Sequence, residues 1–289
     1  MSYTISQIRN QFVAALSPLY GETEAGQMVR MLFEHFCGIS GASLALQKND
    51  FLPQEQYDKL LEGLKQLMDH TPIQYLLGST WFYNLKFEVN PSVLIPRPET
   101  EELVDLILRG STQETESDDR KLLDIGTGSG CIAVALKKSL PGWQVSACDI
   151  SEDALQVARR NADRAGTRIN FLKADILRWK EWPDPGSYHI IVSNPPYVCE
   201  SEKSQMQLNV LEHEPALALF VPDNDPLVFY RAIAEFATTR LVQHGKLYLE
   251  INESYGPKLV NLLKSLGYSD IELRKDFGGK DRFVIARKA

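Results

Sequence analysis

The chain has 289 residues, of which 44% are hydrophobic and 24% charged, and its formal net charge is −7. This length allows about two domains, each with its own core, and the composition is that of an ordinary soluble protein without a low-complexity tract or an internal repeat. The acidic balance lowers the expectation of a nucleic-acid binder, because such proteins usually present a basic face to the phosphates.

The cysteines, the histidines and the amino-terminal residues favour a cytoplasmic protein without a metal. Cys37, Cys131, Cys148 and Cys199 contain no Cys-x-x-Cys pair, which favours reduced thiols. The histidines lack metal-ligand spacing, so we assign no metal. Neither a signal-peptide core nor an apolar run as long as a membrane span is present, so we expect no membrane contact.

Residues 1–75 predict a small helical domain. Ile5, Ile8, Phe12 and Leu16 recur at helical spacing, and the stretch 22–36 repeats that pattern. Pro53 is expected to open a further helix, whose apolar positions continue to about residue 67. Nothing in this domain resembles a catalytic motif.

Residues 76–97 predict a linker that contains a short hairpin. Apolar alternation from Trp81 to Val89 surrounds Tyr83-Asn84, which suits the turn. Pro98 then suits the first position of a helix, with glutamates in the favourable first turn and Gly110 at the end. The polar stretch 111–119 predicts an exposed loop.

Residues 98–289 predict a second domain in which strands and helices alternate, the pattern of a mainly parallel sheet covered by helices on both faces. The predicted helices begin at Cys131, Ser151, Asp225 and Ser254. The predicted strands are Lys121–Ile125, Gln144–Asp149, Ile169–Leu172, His189–Ser193 and Lys246–Ile251, followed by a closing antiparallel pair, Asp270–Arg274 and Arg282–Ala286.

A glycine-rich turn follows the first strand of this sheet and predicts a cofactor site. Its candidate binding residues are Gly126, Thr127, Gly128, Ser129 and Gly130. Glycines let the backbone approach a ligand, and the following helix start directs N–H groups at it. The turn alone is weak evidence for a particular cofactor, since dinucleotide enzymes and plain turns share it. Cys131 stands at the position where the dinucleotide pattern has its last glycine, which favours S-adenosylmethionine over a dinucleotide.

Acidic residues end the next strands at the same predicted edge. Asp149 can accept hydrogen bonds from both hydroxyls of a ribose, although it also suits the position just before a helix whose N-cap is Ser151. Asp175 and Ile176 end the third strand, where an adenine amine could be bound. Asp124 precedes the glycine turn, where its carboxylate can face a cationic ligand directly or through water.

The most informative motif is Asn194-Pro195-Pro196-Tyr197, directly after the predicted strand that ends at Ser193. Asn194 offers a side-chain carbonyl, and prolines donate no hydrogen bond, so the backbone carbonyls here are rigidly presented. Tyr197 adds a flat ring. Two acceptors and a ring suit a planar –NH2 group on an sp² carbon, which is either a glutamine amide or a nucleobase amine.

Taken with these motifs, the chain resembles the class I S-adenosylmethionine-dependent methyltransferases, and within them the release factor glutamine methyltransferases. The resemblance covers nearly the whole chain. It rests on Pro72–Gly78, Val93–Glu101, Asp124–Gly130, Ser193–Tyr197, Glu214–Leu217 and Lys275–Arg282. The most specific of these contains Ile95-Pro96-Arg97-Pro98-Glu99-Thr100-Glu101.

The resemblance implies a Rossmann-like α/β fold with a seven-stranded, mostly parallel sheet, and an amino-terminal helical domain that helps to dock a release factor. It implies S-adenosylmethionine as cofactor, with Asn194 beside it as well as beside the substrate. Arg97 is the candidate for the mouth of the site. Two positions depart from the family: Asp175-Ile176 stands for Asp-Trp, with Trp179 as a candidate substitute, and Asn252 stands for glycine.

The mechanistic hypothesis is that the Asn194 side-chain carbonyl and the Pro195 backbone carbonyl accept both N–H groups of the target amide, with Pro196 and Tyr197 packed around it. Catalysis by Asn194, Pro195 and Tyr197 is then mainly positioning. The rivals are an adenine methyltransferase acting on nucleic acid, a binding module without activity and, more distantly, a dehydrogenase. We expect no direct nucleic-acid contact.

Overall fold

The computed structural model describes residues 3–111, 120–183 and 186–289. Most of the predicted loop 111–119 lies outside the described residues, and only its first residue, Ser111, lies within them, at the end of a helix. The α-helices of the described ranges are α1 (Ile5–Tyr20), α2 (Glu22–Cys37), α3 (Gly41–Leu46), α4 (Gln54–Met68), α5 (Ile73–Leu77), α6 (Pro98–Ser111), α7 (Cys131–Ser139), α8 (Glu152–Ala165), α9 (Leu208–His213), α10 (Val228–Arg240) and α11 (Gly256–Ser265).

The strands are short except at the carboxyl-terminal end of the chain. In order they are β1 (Ser79–Phe82), β2 (Leu85–Glu88), β3 (Lys121–Ile125), β4 (Gln144–Asp149), β5 (Ile169–Lys173), β6 (Tyr188–Ser193), β7 (Val198–Cys199), β8 (Phe220–Val221), β9 (Leu241–Glu250), β10 (Tyr268–Lys275) and β11 (Asp281–Lys288). Short 3-10 helices cover Ile176–Glu181, Glu200–Gln205, Ala216–Ala218 and Glu253–Tyr255.

The chain divides into two compact units, and the smaller is helical. It holds the residues up to Gly78 together with Gln207–His213. The predicted apolar stripe of α1 is buried, and it packs with α2 and α4 in one core. Thr4 caps α1 through a reciprocal hydrogen-bond pair with Gln7, and Pro53 precedes α4 as predicted. Inside this unit, His213 Nε2 contacts the Asp69 carbonyl oxygen at 3.0 Å.

The larger unit holds Ser79–Met206 and Glu214–Ala289. Its hairpin pairs β1 with β2, and the turn residues Tyr83 and Asn84 have positive φ, as the primed hairpin turns require. The domain boundaries that we predict after residues 75 and 97 remain a prediction. None of the helices in the described ranges is both long and apolar enough to cross a bilayer.

Within the described residues the main sheet of the larger unit has seven strands, in the order β10-β11-β9-β6-β3-β4-β5. Its strands run parallel except β11, which is antiparallel to both β9 and β10. The chain moves outward from β3 to β5 and then returns to the other side of β3 as β6. This reversal opens a crevice at the carboxyl ends of β3 and β6, where open α/β sheets bind their ligands.

The predicted α/β fold with its closing antiparallel pair is confirmed, with shifts at some boundaries. The strand predicted at Lys246–Ile251 begins at Leu241, and the helix predicted from Asp225 begins at Val228. A tight turn and an ion pair with Arg231 hold Asp225 before that helix. The helix predicted from Ser254 begins at Gly256, after a 3-10 turn.

Candidate active site

A cavity of about 330 Å³ lies at the carboxyl ends of β3, β4 and β6. Most of the predicted site residues line it, and the exceptions are Gly130 and Tyr197. The lining includes Arg97, Gly126, Thr127, Gly128, Ser129, Asp149, Asp175, Ile176, Asn194, Pro195 and Pro196. The sheet therefore brings together motifs that are up to about a hundred residues apart in sequence.

The glycine-rich turn is shaped by hydrogen bonds to β4. The N–H groups of Gly126 and Thr127 donate to the Cys148 carbonyl at 2.9 and 3.0 Å. Gly128 has a φ of +53°, and a Cβ there would have no heavy atom within 4 Å, so its backbone faces open space. Gly130 serves packing instead, because a Cβ there would lie 3.0 Å from the Ala158 Cβ. Its predicted contact with a cofactor remains a prediction.

Asp124 lies fully buried at the base of this turn. Its Oδ2 accepts a hydrogen bond from Thr127 Oγ1 at 2.6 Å, whereas Oδ1 has no hydrogen-bond partner among the described residues. Burial raises the pKa of Asp124 to about 7. A buried carboxylate oxygen without a partner is costly unless a donor or a cation approaches it.

Asp149 is anchored beside the glycine turn by both of its oxygens. Oδ2 accepts the Gly128 N–H at 2.9 Å, and Oδ1 accepts the Ser151 N–H at 2.9 Å. Each carboxylate oxygen can accept a second hydrogen bond. Burial raises the pKa of Asp149 above its ordinary value. Ser151 caps α8 as predicted, so Asp149 serves the turn and the helix start while it borders the cavity.

The β5 end of the cavity differs in part from expectation. Asp175 Oδ1 accepts the Leu177 N–H at 2.9 Å, and Ile176 is buried at the wall. Trp179, suggested as a substitute aromatic contact, packs against Phe236 with ring centroids 6.0 Å apart and is not among the described cavity residues. Phe229 of α10 lines the cavity instead. Sequence reasoning missed it because nothing local distinguishes it from core residues of that helix.

The Asn194 end of the cavity holds a buried polar chain. Asn194 Nδ2 donates to Thr100 Oγ1 at 3.2 Å, and Thr100 Oγ1 donates to Glu250 Oε2 at 2.8 Å. Tyr197 donates its hydroxyl to Glu250 Oε1 at 3.3 Å. Burial raises the pKa of Glu250 to about 7 and also raises that of Tyr197. Thr100 and Glu250, which sequence reasoning did not place in the site, lie on α6 and at the end of β9.

The loop that carries the Asn-Pro-Pro-Tyr motif is held on its far side. The N–H groups of Tyr197 and Val198 donate to the Leu219 carbonyl, and β7 pairs with β8 directly afterwards. Asn252 Nδ2 donates to the Tyr197 carbonyl at 3.1 Å, while Asn252 Oδ1 accepts the Ser254 N–H. The residue that departs from the family therefore fixes the motif by its side chain.

Arg97 lies at the edge of the cavity as one member of an ion pair. Its Nη2 is 2.6 Å from Glu214 Oε1, and Glu214 Oε2 accepts the Ile95 N–H at 3.1 Å. The Glu214 side chain is 1% exposed. This buried carboxylate ties the Ile95–Arg97 segment to the loop that precedes β8.

Two family models match the chain in separate segments. The model of the PrmC N-terminal domain matches residues 7–78, and that of the methyltransferase small domain matches residues 106–217. Two solved structures share the fold. They are a methyltransferase from Pyrococcus furiosus (TM-score 0.50, 19% identity, 72% of this chain and 91% of that one) and the 16S rRNA N2 G1207 methyltransferase of T. thermophilus (TM-score 0.52, 17% identity, 73% and 50%).

Curated relatives match over almost the full length. The release factor glutamine methyltransferase of Flavobacterium psychrophilum is 43% identical and covers 97% of this chain and 98% of its own. That of Bacteroides thetaiotaomicron is also 43% identical, over 95% and 96%. This chain therefore belongs to the release factor glutamine methyltransferase family.

Proposed function

We propose that this protein transfers a methyl group from S-adenosylmethionine to the side-chain amide nitrogen of the glutamine in the Gly-Gly-Gln motif of peptide-chain release factors, giving N5-methylglutamine. The observation that carries the proposal is that Asn194, anchored by Thr100, and Pro195 line the same cavity as the glycine-rich turn. Membership of the family supports the same substrate.

The residues of the cavity fit S-adenosylmethionine. Gly126 and Gly128 leave open space at their Cα atoms, where the backbone can approach a ligand. Asp149 would accept hydrogen bonds from the ribose hydroxyls, and Asp175, Ile176 and Phe229 would surround the adenine. Asp124, proposed to face the cationic methionine end, is fully buried at the base of the turn and is not among the described residues that line the cavity. The cofactor supplies an electrophilic methyl group on a sulfonium sulfur.

On the substrate side, the chain's own residues would work by orientation. An amide nitrogen is a poor nucleophile because its lone pair is delocalised. The Asn194 side-chain oxygen and the Pro195 carbonyl would accept the two N–H groups and favour localisation of that lone pair as positive charge develops. Orienting two bound reactants can supply several kcal/mol, up to about 7–11 in well-aligned models.

The remaining predicted contacts are part of the same proposal. Pro196 and Arg97 line the cavity and would border the entering peptide. Tyr197 does not line the cavity, and its predicted packing against the amide plane stays a prediction; its hydroxyl is held by Glu250. In the helical unit, Leu46 is 86% exposed and Phe51 61% exposed, and such apolar surface suits contact with a protein substrate. The enzyme would act in the cytoplasm, where translation takes place.

The test is methylation of a purified release factor. The protein is incubated with S-adenosylmethionine and the factor, and the Gly-Gly-Gln peptide is analysed by mass spectrometry. We expect one added methyl group on the glutamine, and none when that glutamine is changed to alanine. If cofactor binding is confirmed by calorimetry but no methyl group is added, the proposed substrate is wrong, and ribosomal proteins and adenine in nucleic acid are the next acceptors to assay.

A further inference from the structure

The buried polar chain from Glu250 through Thr100 to Asn194 has a defined direction. Thr100 has one hydroxyl proton, and a carboxylate only accepts hydrogen bonds. When Glu250 is ionised, the Thr100 proton is therefore used in the 2.8 Å bond to Glu250 Oε2. Thr100 Oγ1 can then only accept on its other side, and the atom that meets it, at 3.2 Å, has to be the amide nitrogen of Asn194.

This direction decides which end of the Asn194 side chain is available to a substrate. The oxygen and the nitrogen of an asparagine amide are nearly equal in shape, so packing alone does not choose between them. Because Nδ2 is engaged by Thr100, the free polar atom is Oδ1, which accepts no hydrogen bond from any described residue. The opposite rotamer would present an –NH2 group and would repel the amide donor of a glutamine.

We propose that Glu250 and Thr100 are positioning residues that hold the Asn194 side-chain oxygen toward the substrate and so select an N–H donor as the methyl acceptor. The inference rests on the proposed function and assigns a role to two residues that lie 150 positions apart in the chain. Glu250 directly follows Leu249, the last residue of β9 that pairs with β6. Thr100 lies in the first turn of α6.

The groups around Glu250 determine its pKa, and so the pH range in which it is ionised and fixes the direction of these hydrogen bonds. Burial is the main reason that the pKa of Glu250 rises to about 7, and the positive charge of Arg282 on β11 opposes that rise. Arg282 is itself paired with Asp276 at 3.1 Å. The other titratable groups that interact with Glu250 are Glu99 on α6, Cys131 on α7, the Tyr197 hydroxyl and Tyr230 on α10.

Protonation of Glu250 would remove the constraint on the direction of the hydrogen bonds from Glu250 through Thr100 to Asn194. As pH falls through about 7, Glu250 gains a proton and can donate to Thr100. The Thr100 hydroxyl is then free to donate to Asn194 Oδ1, which permits the amide to turn its nitrogen toward the substrate. Turnover should therefore fall on the acid side, and this fall should require the Thr100 hydroxyl.

The first experiment compares Thr100→Val with Thr100→Ser, because valine keeps the shape but lacks the hydroxyl. With the release factor as substrate, we expect Thr100→Val to lower kcat roughly tenfold or more, the scale of one lost hydrogen bond in a buried site. The Kd for S-adenosylmethionine should stay within about twofold, and Thr100→Ser should restore most of kcat. The acid fall of kcat should be absent from Thr100→Val and from Glu250→Gln.

The second experiment reads the orientation of Asn194 without any substrate, so that it is independent of the proposed function. In protein labelled with ¹⁵N-asparagine, the one Asn194 Nδ2 hydrogen that is donated to Thr100 should exchange more slowly in the wild type and in Thr100→Ser than in Thr100→Val. Equal kcat for the valine and serine variants, or equal exchange, would overturn the inference. If the wild type fails to methylate the factor but shows the exchange difference, the proposed function fails and the orientation stands.

Discussion

Glu214 holds Arg97 by an ion pair of 2.6 Å and, with its other oxygen, holds the backbone N–H of Ile95 at 3.1 Å. One buried carboxylate thus fixes a segment that contains two prolines and borders the cavity. Although its charged partner is 32% exposed, the Glu214 side chain is almost fully buried. The pair therefore connects two loops and should stabilise them, a role referred to below as a clasp. Fully exposed ion pairs, by contrast, contribute little to stability.

Removal of this carboxylate should destabilise the larger unit. In Glu214→Ala, the buried Ile95 N–H and the Arg97 guanidinium lose their acceptor, which should lower the free energy of unfolding by about 1–3 kcal/mol. Urea denaturation measures the change. Glu212→Ala is the control, since Glu212 is exposed and should change stability by less than about 0.5 kcal/mol. Equal effects of the two substitutions would show that Glu214 is not a clasp.

Asp149 should contribute to cofactor affinity more than to the fold. In Asp149→Asn, one side-chain oxygen remains to accept the Gly128 N–H. The negative charge and the second acceptor oxygen, which together would bind both ribose hydroxyls, are lost. We expect the Kd for S-adenosylmethionine to rise about tenfold or more, a loss of roughly 1.4 kcal/mol, measured by isothermal titration calorimetry. Asp163→Asn, at an exposed position of α8, should leave the Kd unchanged. An unchanged Kd in Asp149→Asn would refute the ribose assignment.

Asn194 should be needed for turnover and much less for cofactor binding. In Asn194→Ala, the substrate amide loses one of its two acceptors, and we expect methylation to fall by roughly 10²-fold or more, as when a charge-stabilising group is removed from an active site. Mass spectrometry of the release factor peptide measures turnover, and calorimetry measures the Kd of the cofactor. Exposed Asn170→Ala on β5 is the control. Near-normal methylation by the alanine variant would disprove the positioning mechanism.

Asp124 should make stability depend on pH. Its pKa is raised from 3.8 to about 7 in the folded state, so the folded protein binds this proton more tightly than the unfolded chain does. The associated stabilisation is complete below about pH 4 and is lost as pH rises to 7. Asp124→Asn should not show this loss. The free energy of unfolding of the variant, relative to that of the wild type, should therefore be higher at pH 8 than at pH 5 by a few kcal/mol, as an order of magnitude.

The measurement for Asp124 is the difference between wild type and Asp124→Asn in urea unfolding at pH 5 and at pH 8. Glu250 titrates in the same direction, so the absolute pH dependence of either protein is not diagnostic, but their difference isolates Asp124. A difference that does not change with pH would mean that Asp124 keeps one protonation state across this range.

The sheet, the glycine-rich turn and the acidic strand ends are predictable because each has a local cause. A parallel strand buried on both faces is a short apolar run, and a backbone with positive φ favours glycine. Since parallel strands end at a common edge, their terminal residues meet there whatever their separation in sequence. Asp149, Asp175 and Asn194 therefore border one cavity as predicted.

The parts that were missed lack a local signal. The bond from Thr100 to Glu250 joins a helix start to a strand end, and each residue alone reads as an ordinary polar residue of its element. The segment from Val198 to Val221 contains two-residue strands and helices of at most six residues, which are too short for a clear periodicity. Phe229 faces a ligand cavity because of where α10 packs, which the helical pattern itself does not reveal.

The loop that carries the Asn-Pro-Pro-Tyr motif loses most of its conformational freedom when the protein folds. Two consecutive prolines fix φ, the Leu219 carbonyl binds the next two N–H groups, and Asn252 binds the carbonyl of Tyr197. In the proposed function, an incoming glutamine would meet a loop that has little freedom left to lose, so more of the binding energy would remain for aligning the amide.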